Sequence, residues 1–263
     1  MVAHCHFGKE PFLTGLSVNL NKIALLRNAR GDGHPDLATF ALRALELNVL
    51  GVTVHPRADE RHATISDLHA LAELQPIASG AREFNIEGDL RSDLVAVVDR
   101  IEPTQFTVVP VEPGEVTSSR GWRADDDHDA LRQICRAYKG RIRVAVFCDP
   151  NPGSCRLALN AGAEAVELFT GPYAVADPKE AEHELSLLVD CVTMLREAGV
   201  RVNGGHNLSL DNMPMLLQSV DFDEFSIGHH LTCDALNFGW EGAIERYLQV
   251  ISASTGSGVS QCN

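Results

Sequence analysis

Eight short apolar segments recur along this chain, and a segment with helical periodicity follows each of them. The apolar segments are Leu16–Leu20, Leu50–Val54, Glu83–Glu87, Phe106–Pro110, Arg143–Cys148, Ala165–Phe169, Val200–Gly204 and Glu224–Ile227. Such runs are typical of strands that are covered by helices on the outside. Strict alternation of strands and helices indicates parallel strands joined by right-handed crossovers.

The helical segments lie between the predicted strands and after the last one. They are Asp36–Leu47, Ile65–Leu74, Leu90–Arg100, Asp127–Tyr138, Ser154–Ala161, Pro178–Ala198, Leu210–Gln218 and Leu231–Val250. Eight such units in 263 residues favour an α/β fold, a single (β/α)8 TIM barrel, which typically takes about 250 residues. An open doubly wound sheet is the alternative, but no Gly-x-Gly-x-x-Gly turn follows the first strand. We predict one domain over residues 1–263, with flexible ends at 1–12 and 252–263.

The charge balance and the cysteines limit the partners and the compartment. The net charge of −14 disfavours binding to nucleic acid or to an anionic membrane surface. No segment approaches the roughly 20 apolar residues of a membrane span. The seven cysteines are odd in number and include no Cys-x-x-Cys pair, which is typical of reduced thiols in the cytoplasm. We therefore expect a cytoplasmic protein that acts on small molecules.

Polar residues with catalytic chemistry follow several of the predicted strands. His55 and Glu87 come at the ends of the second and third strands, and His206 follows the seventh. A closed barrel brings the carboxyl ends of its strands to one mouth, where the active sites of such barrels lie. Two imidazoles that titrate near neutrality and one carboxylate can serve as a general acid–base set. Each residue alone also has a structural explanation, such as an ion pair between Glu87 and Arg57.

Cationic side chains and glycine-bearing turns lie at the same predicted mouth. The cations follow the first two strands and are Lys22, Arg27, Arg30 and Arg57. Glycines directly precede His206 and His229, after strands seven and eight, where barrels often bind phosphate through backbone N–H groups. Together with the acid–base residues, these features predict proton transfers on a phosphorylated carbonyl compound. The structural alternative is that the arginines are solvated helix starts and that the glycines only form turns.

Two other sites are alternatives. The segment His4-Cys5-His6 resembles the paired histidines of metal-dependent barrel hydrolases, but it lies about ten residues before the first strand. Cys148 ends the fifth strand and is placed for a nucleophile, but no neighbouring base accompanies it, so we interpret it as a packing residue.

Orientation at the mouth is a separate question. His229 and His230 are adjacent, and neighbouring side chains on a strand point to opposite faces, so we expect His229 to face the ligand. The segments Ala29–His34 and Val111–Arg123 are candidate lids on their glycine and polar content.

The order and spacing of these motifs resemble the pyridoxine 5′-phosphate synthase family from about Leu16 to Val250. The motifs that carry the resemblance are Val18-Asn19, Leu26 to Gly31 with Pro35-Asp36, Gly51 to His55 with Arg57 and Arg61-His62, Asn85-Ile86-Glu87, Val109-Pro110 with Glu115-Val116-Thr117, Glu167 with Thr170-Gly171 and Tyr173-Ala174, Val202-Asn203, Gly205-His206 and Ile227-Gly228-His229. The resemblance implies a condensation of 1-deoxy-D-xylulose 5-phosphate with 3-amino-2-oxopropyl phosphate. The products would be pyridoxine 5′-phosphate, phosphate and water, with no metal or organic cofactor.

The resemblance also implies roles for individual residues. His55 and Glu87 would accept protons, and His206 would donate one. The residues that would bind the aminoketone phosphate are Asn19, Arg30, Gly228 and His229. Those that would bind the deoxyxylulose phosphate are Arg57, His62 and Thr117. Members of the family form octamers, so a homo-oligomer is expected.

The chain departs from the family at the substrate pocket. Asn21-Lys22 stands where the family has Asp-His, Asn207 stands where it has Gly, and Phe169 stands where it has His. Asn21 lacks the charge of Asp, and Lys22 cannot accept a hydrogen bond. We keep positions 21, 22 and 207 as substrate-binding residues. Two alternatives to the synthase stay open: a diverged paralogue that acts on another phosphorylated ketose or aminoketone, and a protein that only binds one. Retention of the acid–base set argues against a pure binder.

Overall fold

Eight parallel strands form the centre of the molecule. The computed structural model describes residues 14–110, 114–115, 117–123 and 125–255. The strands are β1 Gly15–Asn19, β2 Gly51–Val54, β3 Glu83–Gly88, β4 Gln105–Val108, β5 Arg143–Cys148, β6 Ala165–Phe169, β7 Arg201–Gly205 and β8 Glu224–Ile227. Each strand pairs with the next, and β8 pairs with β1, so the sheet closes into a barrel. The predicted (β/α)8 barrel is confirmed, and no predicted strand end is more than two residues from the observed one.

Helices surround this barrel. In the described part of the chain they are α1 Asn21–Arg30, α2 Leu37–Leu45, α3 Ile65–Ala72, α4 Gln75–Ala78, α5 Ser92–Ile101, α6 His128–Tyr138, α7 Pro152–Ala161, α8 Gly171–Val175, α9 Pro178–Glu197, α10 Met213–Ser219, α11 His229–Phe238 and α12 Trp240–Thr255. Every predicted helical segment contains a helix. None of the helices that the structure describes is long and apolar enough to cross a membrane.

The helix predictions were incomplete in three places and wrong in one. The sequence pattern missed α1, α4 and α8, which are short or lack a wide apolar face. The predicted single helix Leu231–Val250 is instead two helices, α11 and α12. Gly239 separates them with a φ of 75°, a backbone angle that a glycine adopts without steric cost.

The predicted flexible ends fall mostly outside the described residues. Residues 1–13 and 256–263 are not described, and the segment His4-Cys5-His6 is among them. Residues 252–255 continue α12, so the last helix is longer than the sequence indicated. The candidate lid Val111–Arg123 is described only in part, because 111–113 and 116 lie outside the described residues.

The interior of the barrel is polar. Ser17 and Thr53 share a hydrogen bond of 2.7 Å between their hydroxyl oxygens. Asn85 donates to Thr53 Oγ1 at 3.3 Å and accepts from Thr107 Oγ1 at 2.9 Å. Barrels of this kind usually fill the interior with branched apolar side chains. Here the alternate residues, such as Val18 and the valines and isoleucines of the other strands, pack outward against the helices.

Ion pairs close the N-terminal end of the barrel. Arg143 donates to the carboxylate of Glu83 and to Gln105 Oε1, the latter at 2.8 Å. Arg201 Nη2 lies 3.4 Å from Glu224 Oε2. These side chains fill the N-terminal end of the barrel with paired charges, and the open end is the opposite one, where the strands finish.

Candidate active site

A cavity of about 310 Å³ lies at the C-terminal ends of the strands. Twelve of the predicted site residues line it: Asn19, Asn21, Lys22, His55, Arg57, His62, Glu87, Thr117, His206, Asn207, Gly228 and His229. They come from the ends of six strands and from the segments that follow them. Closure of the barrel is what brings residues so far apart in sequence around one space.

Arg30 is the predicted site residue that the structure does not bring to the cavity. It ends α1, and its side chain is 85% exposed, with Nε 3.5 Å from Asp32 Oδ2. The sequence placed Arg30 near the mouth because α1 was not predicted. The ten residues of that helix carry the arginine away from the end of β1.

His55 and Glu87 are neighbours in the buried part of the cavity. His55 Nδ1 lies 3.9 Å from Glu87 Oε2. Ser226 Oγ donates to Glu87 Oε1 at 3.4 Å, and Asn19 Nδ2 donates to Oε2 at 3.5 Å. Burial and the nearby carboxyl of Glu224 raise the pKa of Glu87 to about 7. A carboxyl with a pKa near neutrality can both take up and release a proton under physiological conditions.

Glu167 belongs to the motifs of the family resemblance, but the sequence did not single it out as a site residue. Its carboxyl group lies in β6, is buried and lines the same cavity. Burial and the carboxyl of Glu87 raise its pKa well above the ordinary range. Gly205 makes room for it, since a Cβ at Gly205 would lie 2.2 Å from Glu167 Oε1. A carboxylate inside an otherwise apolar strand was the signal that could have identified it.

Three histidines in the cavity each have one buried ring nitrogen without a partner in the described part of the chain. These atoms are His55 Nε2, His62 Nδ1 and His206 Nδ1. Burial lowers the pKa of His55 well below its usual value and that of His62 and His206 to about 4. The imidazoles are therefore neutral near pH 7, and buried polar atoms without partners are expected to hydrogen-bond to a ligand or to water.

Two cationic side chains line the cavity, and they differ in whether a carboxylate pairs with them. Arg57 is buried and pairs with Glu115, with Nη2 3.4 Å from Oε1. Lys22, at the start of α1, makes no ion pair with any residue that the structure describes. Its charge helps to lower the pKa of His62, His206 and His229. A cation without a carboxylate partner is available to an anionic ligand.

Asn21 links the backbone of His55 to the side chain of Asn19. Its Oδ1 accepts a hydrogen bond of 2.8 Å from the backbone N–H of His55, and its own N–H donates to Asn19 Oδ1 at 3.1 Å. An amide oxygen accepts this bond as a carboxylate oxygen would. The replacement of Asp by Asn at this position therefore keeps the support of His55 and removes one negative charge from the cavity.

The expectation that only His229 of the His229-His230 pair faces the ligand was wrong. Both residues line the cavity, with ring centroids 5.3 Å apart. The expectation assumed strand alternation, but both residues lie in the first turn of α11. Gly228 precedes them, and a Cβ there would approach Asn19 to 3.0 Å, so a side chain at 228 would crowd the cavity wall.

Two alternative sites from the sequence involve a cysteine nucleophile and a metal ion. Cys148 is fully buried, and burial raises the pKa of its thiol well above the ordinary value, as expected for a packing residue. Among the residues that the structure describes, there is no group of three or more His, Cys, Asp or Glu side chains placed to hold a metal ion.

Comparison with known proteins identifies the family. The model of the family described as "Pyridoxal phosphate biosynthesis protein PdxJ" matches residues 16–253. The chain belongs to the PdxJ family. A pyridoxine 5′-phosphate synthase of Cytophaga hutchinsonii is 40% identical over 239 residues, which cover 90% of this chain and 98% of that protein. One of Mesorhizobium japonicum is 41% identical over 238 residues, covering 89% and 97%. The family resemblance seen in the motifs is confirmed, and the chain is an enzyme of this family.

Solved structures with a similar barrel are more distant in sequence from this PdxJ chain. The native KDPGal structure has a TM-score of 0.57 at 13% identity and covers 91% of this chain and 95% of that one. The BexX/CysO complex of Amycolatopsis orientalis has a TM-score of 0.58 at 13% identity, covering 97% and 100%. At such identities the likeness supports the fold alone.

Proposed function

We propose that this PdxJ enzyme condenses 1-deoxy-D-xylulose 5-phosphate with 3-amino-2-oxopropyl phosphate. The products are pyridoxine 5′-phosphate, inorganic phosphate and water. The observation that carries the proposal is the meeting of His55, Glu87 and His206 in one cavity, where each histidine has a ring nitrogen with no partner among the described residues. The naming of the relatives supports the same reaction.

The three residues have distinct roles in this proposal. His55 and Glu87 accept protons: the imidazole is neutral in the free enzyme, and the carboxyl has a pKa of about 7. His206 donates a proton. Its imidazole is also neutral in the free enzyme, but a phosphate dianion bound beside it would favour the protonated form. A ring-closing condensation needs several proton transfers, and a set of positioned groups can supply them in sequence.

Phosphate binding is assigned to the cationic side of the cavity. Lys22, Arg57 and His62 surround the ketose phosphate, together with Thr117, Asn21 and Asn207. Asn19, Gly228 and His229 hold the aminoketone phosphate, at the N-terminus of the ten-residue helix α11. The N–H groups of a helix N-terminus favour anions. These local features offset the net charge of −14, which would otherwise repel anionic substrates. Arg30 has no contact with the cavity in the single chain, so its assignment to the aminoketone phosphate rests on the resemblance alone.

A second function is favoured by one observation. Lys22 supplies a positive charge without a partner among the described residues, at a position where the family has a histidine. A diverged enzyme that acts on another phosphorylated ketose or aminoketone would use that charge for its own substrate. The acid–base set would serve such a reaction equally well.

The direct experiment supplies both substrates to the purified enzyme and follows pyridoxine 5′-phosphate by chromatography. We expect one product and one inorganic phosphate per turnover, with no product when either substrate is omitted. Isothermal titration with each substrate separately distinguishes the two functions. Absence of product, together with tight binding of only one substrate, would reject the synthase and favour the paralogue.

Assembly and location are also proposals. We infer a cytoplasmic homo-oligomer, an octamer by family resemblance. The support is that α1 and α11 are neighbours in the fold and carry the exposed apolar side chains Leu25, Leu26, Leu236 and Phe238. The described cysteines are free thiols, as suits a reducing compartment. Sedimentation analysis of the purified protein tests the assembly, and a monomer at all concentrations would contradict it.

A further inference from the structure

Phe169 packs against His206 without lining the cavity itself. The ring centroids are 4.9 Å apart and the ring planes make an angle of 85°, which is a favourable edge-to-face arrangement. Phe169 ends β6, two residues after Glu167, so both side chains lie on the same face of that strand.

A second aromatic ring holds Phe169 from another direction. Phe147 lies with its ring centroid 5.5 Å from that of Phe169, and it is 4% exposed. Phe147 and His206 both line the cavity, whereas Phe169 does not. Phe169 therefore stands between two wall residues and restricts where the imidazole of His206 can move.

The backbone of His206 has an unusual conformation that the residues after Phe169 stabilise. His206 has a φ of 88° and Asn207 a φ of 59°, in a region that non-glycine residues rarely occupy. Thr170 Oγ1 lies 2.7 Å from the carbonyl oxygen of Gly205 and 2.8 Å from that of His206. Residues held in such conformations are concentrated at functional sites, where surrounding contacts hold them.

Gly171 provides the space that the Phe169 ring occupies. A Cβ at Gly171 would lie 2.4 Å from Phe169 Cε2 and 2.5 Å from Cζ, which is too close for two carbon atoms. Each residue of the segment 169–171 therefore has a part in this arrangement. The ring of Phe169 contacts the imidazole of His206, the hydroxyl of Thr170 supports the backbone of His206, and Gly171 leaves room for the ring.

We propose that Phe169 is a positioning residue for His206. It fixes the imidazole in the geometry for proton donation and shields it from water. Simple packing predicts only a loss of stability when the ring is shortened, whereas a positioning role predicts a change in the chemistry of His206. Only the expected change in kcat rests on the proposed function; the expected change in the titration of His206 does not.

The charged and polar groups around His206 make its titration a sensitive readout. Burial is the main cause that lowers the pKa of His206 to about 4. The charges of Lys22 and His229 lower it further, while Glu115 and the backbone of Ser118 raise it. Thr117 Oγ1 lies 3.2 Å from Nε2, and the buried carboxyl of Glu167 lies against Gly205, the residue before His206. All of these groups remain when Phe169 is shortened, so a shift would report the lost ring.

The first test is Phe169→Leu, followed by NMR titration of the histidine side chains without substrate. The His206 signals are assigned by comparison with His206→Gln. We expect the pKa of His206 to rise by about one unit because water reaches the imidazole. With substrates, we expect kcat to fall by about tenfold to a hundredfold as positioning is lost, with KM values within about twofold of the wild-type values.

Two further variants separate displacement of the ring from its removal. Gly171→Ala keeps Phe169 but pushes its ring away, and we expect the same direction of change in the titration and in kcat. Phe169→Tyr keeps the aromatic contact, and we expect it to restore both values most of the way to wild type.

The control for lost packing is Phe106→Leu. Phe106 is fully buried in β4 and packs against Tyr138, with ring centroids 6.2 Å apart, away from the cavity. This variant should lower Tm without moving the His206 titration. The proposal is overturned if Phe169→Leu lowers Tm to a similar extent but leaves the pKa of His206 unchanged. Because the titration needs no substrate, it stands even if the proposed reaction proves wrong.

Discussion

Glu87 shows how the surroundings of one side chain set its chemistry. Its carboxyl accepts hydrogen bonds from Ser226 and Asn19, lies beside His55, and shares the barrel interior with Glu224. An isosteric amide would keep the size and most of these contacts but could not take up a proton. We expect Glu87→Gln to reduce kcat by about a hundredfold to ten-thousandfold while leaving phosphate binding intact. Steady-state kinetics with isothermal titration of each substrate measures both effects, and near-wild-type rates would place the proton acceptor elsewhere.

The pair Asn21-Lys22 allows a second test at the level of residues. Lys22→His combined with Asn21→Asp restores the family pattern, and Asp at 21 still accepts the hydrogen bond from the His55 backbone. If the altered pair handicaps binding of the ketose phosphate, this double variant should lower KM for 1-deoxy-D-xylulose 5-phosphate by about threefold to tenfold, since one charge-assisted contact is involved. The single variant Asn21→Asp is the matched control. A fall in kcat/KM instead would assign the Asn-Lys pair to the substrate specificity of this enzyme.

The sequence predicted that residues at the strand ends would come together, and they line one cavity. His55 and His206 directly follow strands and Glu87 lies near the end of β3, so closure of the barrel alone brings them together. Glu167 was not assigned to the site because the carboxylate in an apolar strand is its one signal within its own segment. The room for its side chain comes from Gly205 in the neighbouring strand, which the segment itself does not encode. Arg30 was misplaced because α1 begins directly after β1 with no side-chain cap, and so it lacks the usual signal for a helix start.

At the level of elements, the close approach of β2 and β3 depends on Gly51. A Cβ at this position would lie 2.1 Å from the carbonyl oxygen of Glu83, a backbone atom that cannot move without disturbing the pairing of the strands. We expect Gly51→Ala to lower the free energy of unfolding by about 3 kcal/mol, at the upper end of typical overpacking costs. Urea unfolding measures it.

The matched control for that substitution is Gly242→Ala in α12. The added methyl group would meet Phe238 Cβ at 3.7 Å, which is ordinary contact. Alanine has a higher helix propensity than glycine, so we expect this variant to gain up to about 1 kcal/mol. If both substitutions changed the free energy of unfolding equally, the close approach of β2 to β3 would not be the cause of the loss in Gly51→Ala.

The sequence predicted strands better than helices for a physical reason. A buried strand is a short apolar run, and its ends are marked where polar residues begin. The helices α4 and α8 are four and five residues long, too short for a periodic apolar face to appear. The break between α11 and α12 depends on one glycine, and a glycine within a helical pattern does not by itself end a helix.

At the level of the whole molecule, the polar interior of the barrel links stability to pH. The folded state raises the pKa of Glu87 and Glu224 from 4.5 to about 7, so it retains protons that the unfolded chain has lost. This contribution to stability is complete below pH 4.5 and is lost as the pH rises through 7. His62 and His206 act in the opposite direction, because their pKa falls from 6.5 to about 4. Their contribution grows as the pH rises from 4 to 6.5.

The variant Glu224→Gln isolates one of these carboxyls. Gln cannot ionise, so the variant does not lose the stability that the wild-type protein loses between pH 6 and pH 8, when the buried carboxyl of Glu224 ionises. We expect its free energy of unfolding, relative to wild type, to increase by about 1 kcal/mol over that interval. Urea unfolding at the two pH values measures the difference. A difference that stays constant or decreases would mean that Glu224 is already ionised at pH 6, held by Arg201.

Closure of the barrel has a further consequence. Because β8 pairs with β1 as β2 does, and α12 packs beside β1, the ring of strands has neither a first nor a last member. The exposed turn at Gly80 and Ala81 lies between α4 and β3, at the end of the barrel opposite the cavity. We expect a circular permutant that begins at Ala81 and ends at Gly80, with residues 256–263 and 1–13 as its joining linker, to fold cooperatively and to retain turnover. Insoluble protein or a lost cavity would show that the order of synthesis matters. Cooperative folding with retained turnover would show that the closed ring of strands does not need β1 to be its first member.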